Sequence, residues 1–354
     1  MEHLLLAVPA HRAALAAWLA ERAGQPVPPE RPPWARPGWF AQAEAWIAGE
    51  LRRLDVPLAG ALVQERVSPT SCVLRVPGVA HTLYFKASAP VFGYEPALTA
   101  ALGELWPDAV PRVLAMDAEQ GWMLLEDAGP SLREVTRQDR DLGRWEAMLR
   151  QFARLQMEST AHLERLQGLG CPDRRLGRLP ILFDELLREP ARLLIGQAGG
   201  LSEAEYAGLQ ALQPELEALC ERLAAYNIPA TLHHDDFSAG NIGVRGDRYL
   251  FYDWAESCLA HPFFSLIIVL RVAHYILRFD AAELDRLRDT YLGMWAGYAP
   301  VDDLHEAWSM ALRLGKLCRA LTWHTVAQSV EPRLRPEYQA AATAWLQMLL
   351  ANDD

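Results

Sequence analysis

The densest polar cluster in the chain is His233-His234-Asp235-Asp236-Phe237-Ser238-Ala239-Gly240-Asn241. A strand-like run precedes it. A hairpin pattern follows: Asn241-Ile242-Gly243-Val244, a turn at Arg245-Gly246-Asp247, and a return through Tyr249-Leu250-Phe251-Tyr252 to Asp253-Trp254. Asn241 stands five residues after Asp236, and Asp253 twelve residues after Asn241. Hard divalent cations take oxygen ligands, typically one or two carboxylates plus substrate phosphates. An Asn carbonyl and an Asp carboxylate facing each other across a hairpin suit such an ion. A further carboxylate beside them can orient an attacking hydroxyl and accept its proton, and phosphoryl transfer uses that set. The competing reading is a polar turn ahead of a hairpin, which gives the spacing no reason.

The same stretch resembles the aminoglycoside phosphotransferase/choline kinase-like family of small-molecule kinases. That family carries His-Gly-Asp-x-x-x-Gly-Asn and then a strand ending in Asp-Trp or a similar pair. This chain reads His234-Asp235-Asp236-Phe237-Ser238-Ala239-Gly240-Asn241, with Asp253-Trp254 after it. The resemblance implies that Asp236 is the catalytic aspartate, that Asn241 and Asp253 hold Mg²⁺, and that His234 braces the loop. It also implies ATP as donor and a small-molecule hydroxyl as acceptor. Two stretches depart from the pattern. Asp235 stands where Gly is common, and its charge is expected to face a cationic substrate. Downstream, a Gly-Asp-Pro-x-x-Asp-Leu pattern becomes Ala260-His261-Pro262-Phe263-Phe264-Ser265-Leu266, where Ser265 is expected to cap the next helix.

A kinase also needs a cation for the donor phosphates and a carboxylate to position it. Of 34 basic residues only Lys86 and Lys316 are lysine. In so arginine-rich a chain, a retained lysine points to chemistry. Lys86 ends the run Thr82-Leu83-Tyr84-Phe85-Lys86, and Glu95 opens a helix nine residues later. Together they look like the family's Lys–Glu pair, although Glu95 alone also reads as a carboxylate favoured by a helix dipole. Ser68, Thr70 and Ser71 fall where the family places its phosphate-covering loop; a simple turn is the alternative. The run Met123-Leu124-Leu125-Glu126-Asp127-Ala128-Gly129 looks like the last strand and hinge of the small lobe. The resemblance implies adenine hydrogen bonds to the backbone near Glu126 and Ala128.

The elements around these residues follow from periodicity. Helical spacing marks 10–23 and 39–54, divided by an arm with six prolines over 26–37. Short β-prone runs cover 61–67, 73–76, 82–86, 110–116 and 122–126, with a helix over 95–105 between them. From 131 onward apolar stripes predict long helices, among them one through Leu142, Trp145, Leu149, Phe152, Leu155 and Leu163 and another over 202–225. Short strands are expected at 230–232 and 249–253, and helices alone over 262–350. The expected fold is α+β and two-lobed, protein-kinase-like, with a small antiparallel sheet carrying one helix and a larger, mainly helical lobe. The expected divisions are 1–57 (helices and arm), 58–128 (small lobe) and 129–354 (large lobe).

Composition narrows the alternatives. A chain of 354 residues exceeds what one hydrophobic core sustains, which is roughly 250–300 residues, so two lobes are expected. A net charge of -11 disfavours nucleic acid, whose phosphates call for clustered Lys and Arg. The longest apolar run, Phe263 to Leu270, is far short of the ~20 residues of a bilayer span. Residues 4–10 are apolar but follow Glu2 rather than a basic stretch, so no signal peptide is expected. Five dispersed cysteines fit reduced thiols in a cytoplasm. Two other functions compete. His234-Asp235 is similar to the core of an HD-type metal-dependent phosphohydrolase, which leaves Lys86, Asn241 and Asp253 unexplained. A non-catalytic kinase-like nucleotide-binding protein is the other, although every expected catalytic position is filled. The sequence leaves the acceptor and the oligomeric state open.

Overall fold

A computed structural model of the protein describes residues 19–79 and 81–351. Most of the expected helix over 10–23 lies outside the described residues; 19–22 are helical. Helix α1 (Trp39–Arg53) buries Trp39, Ala43, Ile47 and Leu51, one stripe at helical spacing. Five strands follow in the small lobe: β1 (Val63–Val67), β2 (Ser71–Pro77), β3 (Thr82–Ser88), and, after helix α2 (Glu95–Leu105), β4 (Val113–Asp117) and β5 (Trp122–Glu126). They form one antiparallel sheet in the order β1-β2-β3-β5-β4.

Side chains alternate across a strand, and that period of two divides the sheet's work. One face carries Leu74, Val76, Leu83, Phe85 and Leu124 into a core shared with α1. The Trp39, Phe85 and Trp122 rings meet there at 5.7 to 6.2 Å between centroids. The opposite face carries Val73, Tyr84, Lys86, Met123 and Leu125 to a cavity between the lobes. The register places Lys86 opposite Val73 and Met123.

The large lobe begins with α3 (Leu132–Asp139) and α4 (Leu142–Ser159), then α5 (Leu163–Gly168), α6 (Leu179–Leu187), α7 (Glu203–Ala211) and α8 (Gln213–Ala224). Two expected helices are broken. The stripe through Leu163 passes a 3₁₀ turn at Thr160–His162. The stretch over 202–225 divides at Leu212, because Pro214 starts α8 and cannot continue α7. Strands β6 (Thr231–His233), β7 (Ile242–Arg245), β8 (Arg248–Phe251) and β9 (Cys258–Ala260) form two antiparallel pairs, β6–β9 and β7–β8. Helices α9 (Leu266–Tyr275), α10 (Ala281–Gly293), α11 (Val301–Ser329) and α12 (Arg335–Ala351) complete the lobe. Phe152 of α4 stacks on Phe237 at 3.9 Å and meets Phe251 edge-on, so the main core grips both ends of the hairpin region.

The proline-rich arm touches both lobes. The Trp34 indole donates to Ser68 O at 2.9 Å, and Arg31 Nε donates to Glu331 Oε1 at 2.7 Å. Among the described residues no helix is long and apolar enough to cross a membrane.

Candidate active site

Both lobes contribute to a cavity of about 310 Å³. From the small lobe comes Lys86, 6 % exposed. Its Nζ lies 2.6 Å from Glu95 Oε1, and the other Glu95 oxygen accepts from Ser88 Oγ at 2.5 Å. Glu95 opens α2 fully buried, so Lys86 meets a carboxylate with no access to water. Across the cavity Lys86 Nζ reaches Asp253 Oδ1 at 2.5 Å. Burial opposes the lysine's charge, but Asp253 and Glu95 outweigh it and hold the ammonium protonated beyond its ordinary range. Burial likewise opposes the Asp253 charge, and Lys86, then Arg66 at 3.9 Å from Oδ2, hold its carboxyl low.

Asp253 adopts φ of 66°, a left-handed conformation uncommon outside glycine. The next residue anchors it: Trp254 is fully buried and its indole donates to Phe251 O at 2.9 Å. Local strain of this kind is retained where surrounding structure over-determines it.

The loop before β7 carries the remaining groups. Asn241 Nδ2 donates to Asp236 O at 2.9 Å and to Asp236 Oδ2 at 2.8 Å. Asn241 and Asp253 both line the cavity. The Asp236 carboxyl is pushed up, first by burial and then by Asp253, against the pull of Arg319 Nη2 at 3.8 Å. His234 is fully buried and packs 4.7 Å from the Trp254 ring. Burial lowers it to about 4, so it is neutral, and its Nε2 donates to Tyr252 O at 3.0 Å. That bond ties the loop to the end of β8, where a brace is expected.

The hinge wall is formed by Glu126, Asp127, Ala128 and Gly129. Gly129 has φ of 83°, and a Cβ there would lie 2.6 Å from Val244 O. A Cβ on Gly243 would lie 2.2 Å from Ala128 O. The β7–β8 hairpin and the hinge therefore approach through two glycines.

Three expectations are corrected. Asp235 does not present its charge to a substrate: it is 3 % exposed and held by Thr322, by His233 Nε2 at 3.0 Å and by Arg319 Nη1 at 3.3 Å. Ser265 precedes α9 without a side-chain cap, because its hydroxyl is taken by His233 Nδ1 at 2.7 Å. Ser68, Thr70 and Ser71 close the β1–β2 turn on one another. Ser71 N donates to Ser68 Oγ at 3.0 Å, and the Ser68 and Thr70 hydroxyls lie 3.1 Å apart. Among the described residues the flanking Arg66 and Val73, not these three, line the cavity.

Two residues of the site escape sequence reasoning. Arg319 of α11 joins Glu256, Asp235 and Asp236. Its one signal is that it is the second cation, after Lys316, in the otherwise apolar run from Leu314 to Leu321. Glu256, three residues beyond Asp253, is pushed up to about 7, chiefly by burial.

Residues 89–304, more than half of the chain, match the model of the phosphotransferase enzyme family. The chain belongs to that family. The matched segment includes Glu95, Asp236, Asn241 and Asp253 and leaves out Lys86 and Arg319. No curated protein matches the sequence. Solved structures share the fold at low identity. An ethanolamine kinase of Plasmodium vivax aligns with TM-score 0.57 at 12% identity, covering 81% of each chain. A choline/ethanolamine kinase family protein from Mesorhizobium loti aligns with TM-score 0.54 at 17% identity, covering 87% of this chain and 98% of its own. The phosphotransferase APH(2")-IIia, solved with GDP and kanamycin, aligns with TM-score 0.58 at 13% identity over 88% of this chain and 99% of its own. The two-lobed, protein-kinase-like architecture is thus common to this chain and these kinases.

Proposed function

We propose that the protein transfers the γ-phosphoryl group of ATP to a hydroxyl of a small molecule, with Mg²⁺ at Asn241 and Asp253. The observation that carries this reading is convergence: Lys86 from one lobe, and Asp253 with Asn241 from the other, line one cavity, with Glu95 bound to Lys86 and Asp236 bound to Asn241 just behind them. The donor set suits a hard cation. Asp253 keeps Oδ2 free of Lys86, and Asn241, lining the same cavity, carries a side-chain carbonyl oxygen. Such an ion supplies neutralisation of phosphate charge.

The protein's own groups do the rest. The hinge backbone near Glu126 and Ala128 orients the adenine. Lys86, kept charged, releases Asp253 Oδ1 and meets a phosphate oxygen. Asp236 aligns the acceptor hydroxyl and takes its proton as the new P–O bond forms and the bond to the leaving diphosphate breaks. Asn241 fixes the Asp236 carboxylate through its amide. Positioning and charge account for the catalysis. The acidic chain with five free cysteines suits work in the cytoplasm.

A hydrolase built on His234-Asp235 is disfavoured, because His234 Nε2 is bound to a carbonyl and Asp235 to Arg319 and Thr322. The printed names of the solved kinases mention ethanolamine, choline and kanamycin. Amino alcohols and aminoglycosides therefore head an acceptor panel. The test is nucleoside diphosphate release from ATP or GTP across that panel, for the wild type and Asp236→Asn. Acceptor-dependent release lost in the variant is the expected result. Release that survives Asp236→Asn at the wild-type rate contradicts the assignment.

A further inference from the structure

Behind the catalytic loop, three soft or borderline donors converge. His233 on β6, Cys258 on β9 and Cys318 on α11 each place one ligand atom within 4.8 Å of the others. All three side chains are fully buried. The β6–β9 register sets His233 directly opposite Cys258, so one face of that pair carries two of the donors. The two sulfurs lie 3.8 Å apart. A disulfide would need about 2.05 Å. A tetrahedral ion with metal–sulfur bonds of about 2.3 Å separates its two thiolates by about 3.8 Å.

The histidine is oriented from behind. Its Nδ1 lies 2.7 Å from Ser265 Oγ, which leaves Nε2 facing Asp235 Oδ1 at 3.0 Å. Metal-binding imidazoles are held in this way through the second ring nitrogen. The charges also balance. Two thiolates, a neutral imidazole and a divalent cation sum to zero, so burying the set leaves no isolated charge. Asp235 and Arg174, 3.8 Å apart, neutralise each other beside it.

We propose that His233, Cys258 and Cys318 bind one borderline-soft divalent cation of the zinc class. The ion pins β6, β9 and α11 together. It sits next in sequence to Arg319, which pairs with Asp236, so it fixes the loop from the side away from the nucleotide cavity. This inference does not depend on the phosphotransfer reading. The ligand set is soft, whereas Asn241 and Asp253 are oxygen donors, and the two are told apart spectroscopically.

The test uses the full chain, reduced with a phosphine, stripped with a chelator and titrated separately with Zn²⁺ and Co²⁺. Wild type, Cys258→Ser, Cys318→Ser and Cys72→Ser are compared. Cys72 is buried in the small-lobe core and serves as the control. The expected result is about one tightly held ion per chain and an intense sulfur-to-cobalt charge-transfer absorption. Both are lost in the Cys258 and Cys318 variants and kept in Cys72→Ser. If the two serine variants fail to fold, the wild-type cobalt spectrum decides, because an oxygen-donor site gives no such absorption. Cobalt bound without that absorption, no tightly held ion, or wild-type binding in either variant overturns the proposal. So does an intact mass lower by two hydrogens in protein kept with Zn²⁺, which would show a Cys258–Cys318 disulfide instead.

Discussion

Lys86 and Asp253, separated by 167 residues in sequence, meet at 2.5 Å and so join the small lobe to the large one. The same ammonium serves Glu95 at 2.6 Å. One cation thus balances two carboxylates, one of them fully buried.

Removing that cation leaves Glu95 buried and uncompensated. Breaking a buried pair from one side costs about 3–5 kcal/mol. Lys86→Met is therefore expected to lower unfolding stability by about 3 kcal/mol, measured by denaturant titration, and to abolish phosphoryl transfer. Lys86→Arg is not expected to restore activity, since a planar guanidinium does not replace a compact ammonium. A loss of stability no larger than a surface substitution gives would contradict the pairing.

The close approach of hairpin and hinge gives a second expectation. In Gly243→Ala the new Cβ meets Ala128 O, and backbone rather than a flexible side chain must move. Overpacking of this kind costs about 1–3 kcal/mol. The variant should melt earlier and bind ATP more weakly, measured by calorimetric titration. An unchanged Kd would show that the hinge backbone is not part of the nucleotide site.

These elements show how far the sequence could be read. Helix α2 begins and ends where its apolar spacing places it, and the β-prone runs of the small lobe became its five strands. Asp236, Asn241 and Asp253 are legible because one short hairpin sets their spacing. Asp235 is not, because its partners Arg319 and Thr322 are 84 and 87 residues away. The same holds for Cys258 and Cys318, 60 residues apart in sequence and 3.8 Å apart in space. Local pattern reports which face of an element is apolar. It does not report which distant element arrives there with a polar group.

His261 supplies a pH expectation. Burial lowers it from 6.5 to about 3, and its Nε2 has no hydrogen-bond partner among the described residues. The unfolded chain therefore binds a proton below pH ~6.5 that the folded chain refuses down to about pH 3. The stability due to neutral His261 is complete above that range and lost as pH falls through it, by about 2 kcal/mol at pH ~5. In His261→Asn the side-chain oxygen can still accept from Phe263 N, as Nδ1 does at 3.4 Å. That variant should lose less stability between pH ~7 and pH ~5 than the wild type in parallel denaturant titrations. Parallel losses would show that His261 is protonated in the native state.

The most direct measurement of the central claim is a thermal-shift titration with ADP, with and without Mg²⁺, on the wild type and Asp253→Ala. Saturation at about 100 times Kd adds roughly 2.7 kcal/mol, enough for a clear rise in Tm. The predicted result is a rise for the wild type that Mg²⁺ enlarges, and a variant in which the Mg²⁺-dependent part is gone. No rise in the wild type with any nucleotide, or an equal Mg²⁺-dependent rise in Asp253→Ala, would contradict the account.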